Sequence, residues 1–100
     1  MTESPEAVWG PGRFRVNPDA VAQRVGEEMV VVHLTTDRML VLNATAARAW
    51  ELLTAGHDIR TVHSRMMQEF VVKPDQLTDE LDRLVRQLEA EKLISRHADQ

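Results

Sequence analysis

The run from Leu40 to Gly56 constrains this chain more than any other stretch. Leu40, Val41 and Leu42 favour an extended, half-buried backbone. Asn43 follows, and its side-chain oxygen can accept from the free N–H groups of a first helical turn, so it reads as an N-cap. Ala46, Ala49, Trp50 and Leu53 then recur at three- and four-residue spacing and make one apolar stripe. Gly56 supplies the left-handed residue that ends a helix. Strand, cap, helix and stop thus fit into seventeen residues, with sheet-like sequence before them and helix-like sequence after them.

Upstream, Arg13 to Val16 alternates as a short strand, and Asn17-Pro18-Asp19 is a turn. Ala20 to Val25 places Val21, Gln23 and Val25 on one face, and Gly26-Glu27 makes a tight turn. Glu28 to Leu34 is valine-rich and extended. Thr35-Thr36-Asp37 turns the chain back into Arg38 to Leu42. The expectation is a meander of about three strands whose last member is an edge. Downstream, Asp58 or Thr61 caps a second helix reaching Phe70, with Ile59, Val62, Met66, Met67 and Phe70 as its apolar stripe. Pro74 suits the first turn of a third helix, which carries Leu77, Leu81, Leu84, Val85 and Leu88 at helical spacing. Leu93 and Ile94 close the core, and Ser95 to Gln100 fray. Residues 1–12 read as an N-terminal tail, 13–95 as one domain and 96–100 as a C-terminal tail. Trp9, a large aromatic in that first tail, is expected to fold back onto the domain.

Few chemistries survive this reading. The net charge of −4 is spread evenly, so no basic block is available for nucleic acid or an anionic membrane surface. The absence of cysteine excludes disulfides, thiolate catalysis and cysteine-held metal. No apolar run reaches membrane-spanning length and the acidic N-terminus does not look like a signal peptide, so the expected compartment is the cytoplasm. His33, His57, His63 and His97 form no pair four apart on one helix, which leaves no metal site to name. Ser4, Ser64 and Ser95 lie in tails or mid-helix without a nucleophile elbow, and the four glycines make no phosphate loop. No catalytic residue, cofactor or metal is expected. A winged-helix DNA reader would use its third helix in the major groove. Here that helix carries Asp75, Asp79, Glu80, Asp82, Glu89 and Glu91 against Arg83, Arg86 and Lys92, which opposes phosphate binding.

A peptide-binding surface remains. An edge strand can accept an extended peptide as one more strand. In Arg38 to Leu42, Leu40 and Leu42 share one face and Met39 and Val41 the other. On the third helix Val85 lies off the centre of the leucine stripe, beside Thr78 and Asp82, at about 100° per residue. A groove between that flank and the strand would be apolar with a polar rim.

The order Leu42-Asn43, Thr45-Ala46, Trp50, Leu52-Leu53 and Gly56 resembles the signature of the PqqD-like domain, the recognition element of pathways that make ribosomally synthesised, post-translationally modified peptides. The strands Val30 to Leu34 and Arg38 to Leu42, the run Phe70 to Val72 and the helix through Leu81, Leu84 and Leu88 fall where that family places them. The similarity covers roughly residues 16 to 95. It implies an α+β fold, a three-stranded antiparallel sheet followed by a winged-helix-like three-helix bundle, and a non-catalytic role. The domain would bind the leader of a precursor peptide and deliver it to a maturation enzyme, either a radical S-adenosylmethionine enzyme or the leader peptidase and cyclase of a lasso-peptide pathway. A homodimer is a further option. So are two other roles, a winged-helix DNA-binding regulator and a structural subunit that only stabilises a partner enzyme. Carried over to this chain, the edge would be Arg38, Met39, Leu40, Val41 and Leu42, and the helical wall Thr78, Asp82, Val85 and Arg86, with Val85 as floor and Asp82 and Arg86 as rim. Two departures stand out. Thr36-Asp37-Arg38 occupies a turn where members often have glycine, and Lys92 stands where many have the glycine that ends the last helix.

Overall fold

The structure, a computed structural model, describes residues 13–97. The expectations for Trp9 and for residues 1–12 fall outside them. Among the described residues five strands and three helices follow in the order β1 (Arg13–Val16), β2 (Ala20–Val25), β3 (Glu28–His33), β4 (Arg38–Leu42), α1 (Ala44–Thr54), α2 (Ile59–Glu69), α3 (Pro74–Ala90) and β5 (Ile94–His97). The α+β class and the three-stranded antiparallel meander β2-β3-β4 agree with the sequence reading. One expectation fails. Ser95 to His97 do not fray, because Ile94–His97 is a strand that pairs antiparallel with β1, Val16 opposite Ile94 and Arg13 opposite His97. Backbone pairing in this second, two-stranded sheet supplies what the mostly polar sequence of β5 gives no hint of.

Turn chemistry fixes the meander. Gly26 takes a φ of 64°, and with Glu27 it closes a two-residue loop between Val25 and its partner Glu28. At the next turn Asp37 takes a φ of 61°, doing without the expected glycine, and its N–H donates to the His33 carbonyl. The strands put Met29, Val31, His33 and Leu42 inward, all buried, and leave Val30, Val32, Met39 and Val41 on the outer face. The valines of β2 lie on that outer face too, with the small Ala20 and Ala22 turned toward the core side.

Each helix has a legible beginning and end. Asn43 Oδ1 accepts from the Ala46 N–H at 2.9 Å, and Asp58 Oδ1 from the Thr61 N–H at 2.8 Å, so Asp58 and not Thr61 caps α2. Pro74 opens α3. Both α1 and α3 close in the same two-bond cap. In α1, Gly56 donates to the Leu53 carbonyl and His57 to that of Leu52; in α3, Lys92 donates to Glu89 and Leu93 to Leu88. The left-handed residue is Gly56 in the first case and Lys92, at φ 60°, in the second. A lysine there is strained by its Cβ. The buried contact of Leu93 with Leu88 and the hydrogen bonds described below hold it in place.

Trp50, Leu52 and Leu53 of α1, Ile59, Val62 and Met66 of α2, and Leu77, Leu81, Leu84, Val85 and Leu88 of α3 form one core with the inner face of the sheet. At about 1.5–3 kcal/mol for each large side chain taken out of water, this cluster is the main favourable contribution to folding. On the surface a charge chain crosses three elements. Arg24 of β2 pairs with Glu51, Glu51 with Arg48 at 3.2 Å, and Arg48 grips Glu69 of α2 at two points, 2.7 and 2.9 Å. The Arg24 and Arg48 guanidiniums hold the Glu51 carboxyl below its ordinary range, and Arg48 does the same to Glu69.

Candidate peptide-binding groove

β4 is an edge of its sheet among the described residues, so alternate N–H and C=O groups along it have no strand partner. The other edge, β2, has no apolar wall beside it: Ala22 and Val25 are exposed and Arg24 reaches across to α1. Beside β4, by contrast, runs α3. A cavity of about 360 Å³ is lined by Val41 and Leu42 of β4, by Asn43, Thr45 and Ala46 at the start of α1, and by Glu80, Leu81, Arg83, Leu84 and Gln87 of α3. At about 100° per residue, Glu80, Leu84, Gln87 and Glu91 fall on one stripe of the helix. The last of these meets the first residue of β4: Arg38 Nε lies 2.6 Å from Glu91 Oε1, and Nη2 donates to Oε2 at 3.2 Å. Glu91 Oε1 has no well-aligned hydrogen bond, so the close Nε contact is an ion pair and the Nη2 bond carries the alignment. The groove is therefore apolar at Val41 and Leu84, polar along Glu80 and Gln87, and bridged by charge at one end.

The five predicted residues of the strand edge lie together as expected. Met39 is 64% exposed and Val41 55%, Leu40 is half-buried and Leu42 buried. The predicted helical wall lies elsewhere. Val85 is 1% exposed and belongs to the core. The Thr78 hydroxyl donates to the Pro74 carbonyl and sits 3.2 Å from His63 Nε2, facing α2. Asp82 and Arg86 do pair, at 3.1 Å, but each lies about 200° around the helix from Leu84. None of these four lines the cavity. Glu80, Leu84 and Gln87, which do line it, give little signal in sequence because two of the three are polar and look like solvated surface. Leu84, at the margin of the leucine stripe, was the available signal.

The structure defines a class, a small α+β domain whose three-stranded sheet leaves an open edge beside a helix. Residues 28–94 match the family model of coenzyme PQQ synthesis protein D, and the chain belongs to the PqqD family. Two solved structures share its fold. TbiB1, in complex with the TbiA(beta) leader peptide, is 25% identical with a TM-score of 0.76, covering 85% of this chain and 99% of that one. A lasso peptide synthetase B1 complexed with the leader peptide is 23% identical with a TM-score of 0.75, covering 84% and 99%. No curated protein is a significant sequence match.

Proposed function

We propose that this chain is a non-catalytic recognition protein that captures the leader of a ribosomally made precursor peptide as a strand added to β4. The observation that carries the reading is the open edge Arg38–Leu42 running beside the α3 stripe, in a fold shared with two structures that hold leader peptides. Backbone bonds to β4 supply affinity, and the cavity between Val41 and Leu84 selects an apolar leader side chain. The likeness to lasso peptide synthetase B1 favours a leader peptidase and cyclase as the downstream enzymes over a radical S-adenosylmethionine enzyme. A surface for such an enzyme is available. Val21, Val25, Val30, Val32, Met39 and Val41 make the outer face of the sheet largely apolar, and no element of the described chain covers it. The site of action is the cytoplasm, where the precursor is made.

Titration of isotope-labelled protein with the leader half of the precursor encoded beside its gene tests the reading. Amide shifts concentrated at Arg38–Leu42 and Glu80–Glu91 are expected. No response to that leader would sink it.

A further inference from the structure

The groove has two walls from different parts of the chain, and something must hold them at the spacing a strand requires. We infer that Asn17 and His33, packed together and tied through Asp19, form a part-buried clasp that sets this spacing, which makes them positioning residues for peptide capture although neither lines the groove. The inference rests on the leader-binding reading.

Asn17, in the turn between β1 and β2, uses its polar groups in three directions. Its N–H donates to the Leu93 carbonyl at 2.9 Å, and its Oδ1 accepts from the Asp19 N–H at 2.8 Å. Its Nδ2 donates to the Lys92 carbonyl at 2.9 Å and lies 3.2 Å from His33 Nε2. Lys92 is the left-handed residue that ends α3, so Asn17 grips the end of the helical wall from both Lys92 and Leu93. His33 is the last residue of β3 and is only 5% exposed. Its Nδ1 accepts from the Thr35 and Thr36 N–H groups at 3.2 and 3.4 Å, and its carbonyl accepts from Asp37 at 2.8 Å. These are the residues of the turn that delivers Arg38 to β4. With Nδ1 accepting, Nε2 carries the ring proton, so Asn17 packs against His33 without bonding to it, and the bonded route runs through Asp19: its N–H donates to Asn17 Oδ1, its carbonyl accepts from the Leu34 N–H at 2.9 Å and its Oδ2 from the Thr35 hydroxyl at 2.6 Å, which joins the end of α3 to the turn before β4. The Arg38–Glu91 ion pair repeats that link at the surface. A strand inserted beside β4 must sit about 4.8 Å from it and still clear the helix, so a shift of about an ångström between the walls disturbs both its bonds and its side-chain fit.

The test is leader binding, read by calorimetry with the synthetic leader peptide. Asn17→Ala is expected to weaken affinity tenfold or more. Asn17→Asp, which keeps the bond to Asp19 but sets a carboxylate oxygen against the Lys92 carbonyl in place of the donor, is expected to do the same and serves if Asn17→Ala folds poorly. Val62→Ala, a core change remote from the clasp, is expected to lower stability and leave affinity unchanged. Because Asn17 acts through the strained Lys92 cap, Lys92→Gly should restore much of the affinity lost in Asn17→Ala. Unchanged affinity in both Asn17 variants, an equal loss in Val62→Ala, or no rescue by Lys92→Gly would overturn the clasp while leaving the leader-binding reading in place. A wild-type protein that binds no leader would overturn that reading and the clasp with it.

Discussion

Arg38 and Glu91 face each other across one end of the groove, joined at two points although 53 residues separate them in sequence. The Arg38 side chain is about two-thirds exposed, which keeps the pair in a region where solvent screens charge. Arg38→Ala should therefore cost less than about 1 kcal/mol of stability by chemical denaturation. Its larger effect is expected on peptide binding. A stability loss well above that value would make the pair a structural strut.

Val41 and Val85 discriminate between groove and core. Val41→Glu changes a half-exposed edge side chain, so stability should stay within about 0.5 kcal/mol while leader affinity falls at least tenfold. Val85→Glu puts a carboxylate among Leu81, Leu84 and Leu88 and should unfold the domain, read by circular dichroism. A folded Val85→Glu protein that had merely lost binding would restore Val85 to the site.

Much of this was readable from residue order. Asn43 announced its helix because a short polar side chain followed an apolar strand and preceded a helical stripe. Trp50 and the leucines of α3 announced the core by period alone. What could not be read is non-local. β5 is a tetrapeptide with one apolar residue, Ile94, whose partner lies some eighty residues earlier, and no local pattern encodes such pairing. Helical periodicity likewise gives the angle between Leu84 and Val85 but not which of them faces β4, since that depends on how α3 docks. The flank read from the sequence therefore differs from the one that lines the cavity beside β4.

Trp50→Ala should cost about 3–5 kcal/mol, since the indole is buried between α1 and the rest of the core. Thermal unfolding would measure it. Retained stability would mean the ring is peripheral.

Acid should loosen the surface charge chain. The Glu51 and Glu69 carboxyls are held below the ordinary value by Arg24 and Arg48, so in the folded state they bind protons less readily than in the unfolded chain. Their contribution is complete above the ordinary glutamate value of about 4.3 and disappears as pH falls through the lower folded values. These side chains are more than a third exposed, so each pair contributes no more than about 1 kcal/mol. The melting temperature should drop below about pH 4.3, and Arg48→Gln should flatten that decline. An unchanged acid limb in Arg48→Gln would remove the chain from the account.

Lys92→Gly should raise stability by about 1 kcal/mol, because glycine takes the left-handed conformation without a Cβ clash. For a domain of this size that is a rise of about 4–8 °C in melting temperature. No rise would mean that Asn17 and Leu93 already absorb the strain.

The pairing of β1 with β5 reaches beyond folding. Arg13 stands opposite His97, so the described chain enters and leaves at a single rung of one ladder. A chain closed in this way can be carried as an insert in a loop of a larger protein, or joined end to end and reopened elsewhere, with little rearrangement of its interior. The proposed peptide edge at β4 belongs to the other sheet and is spared by either operation.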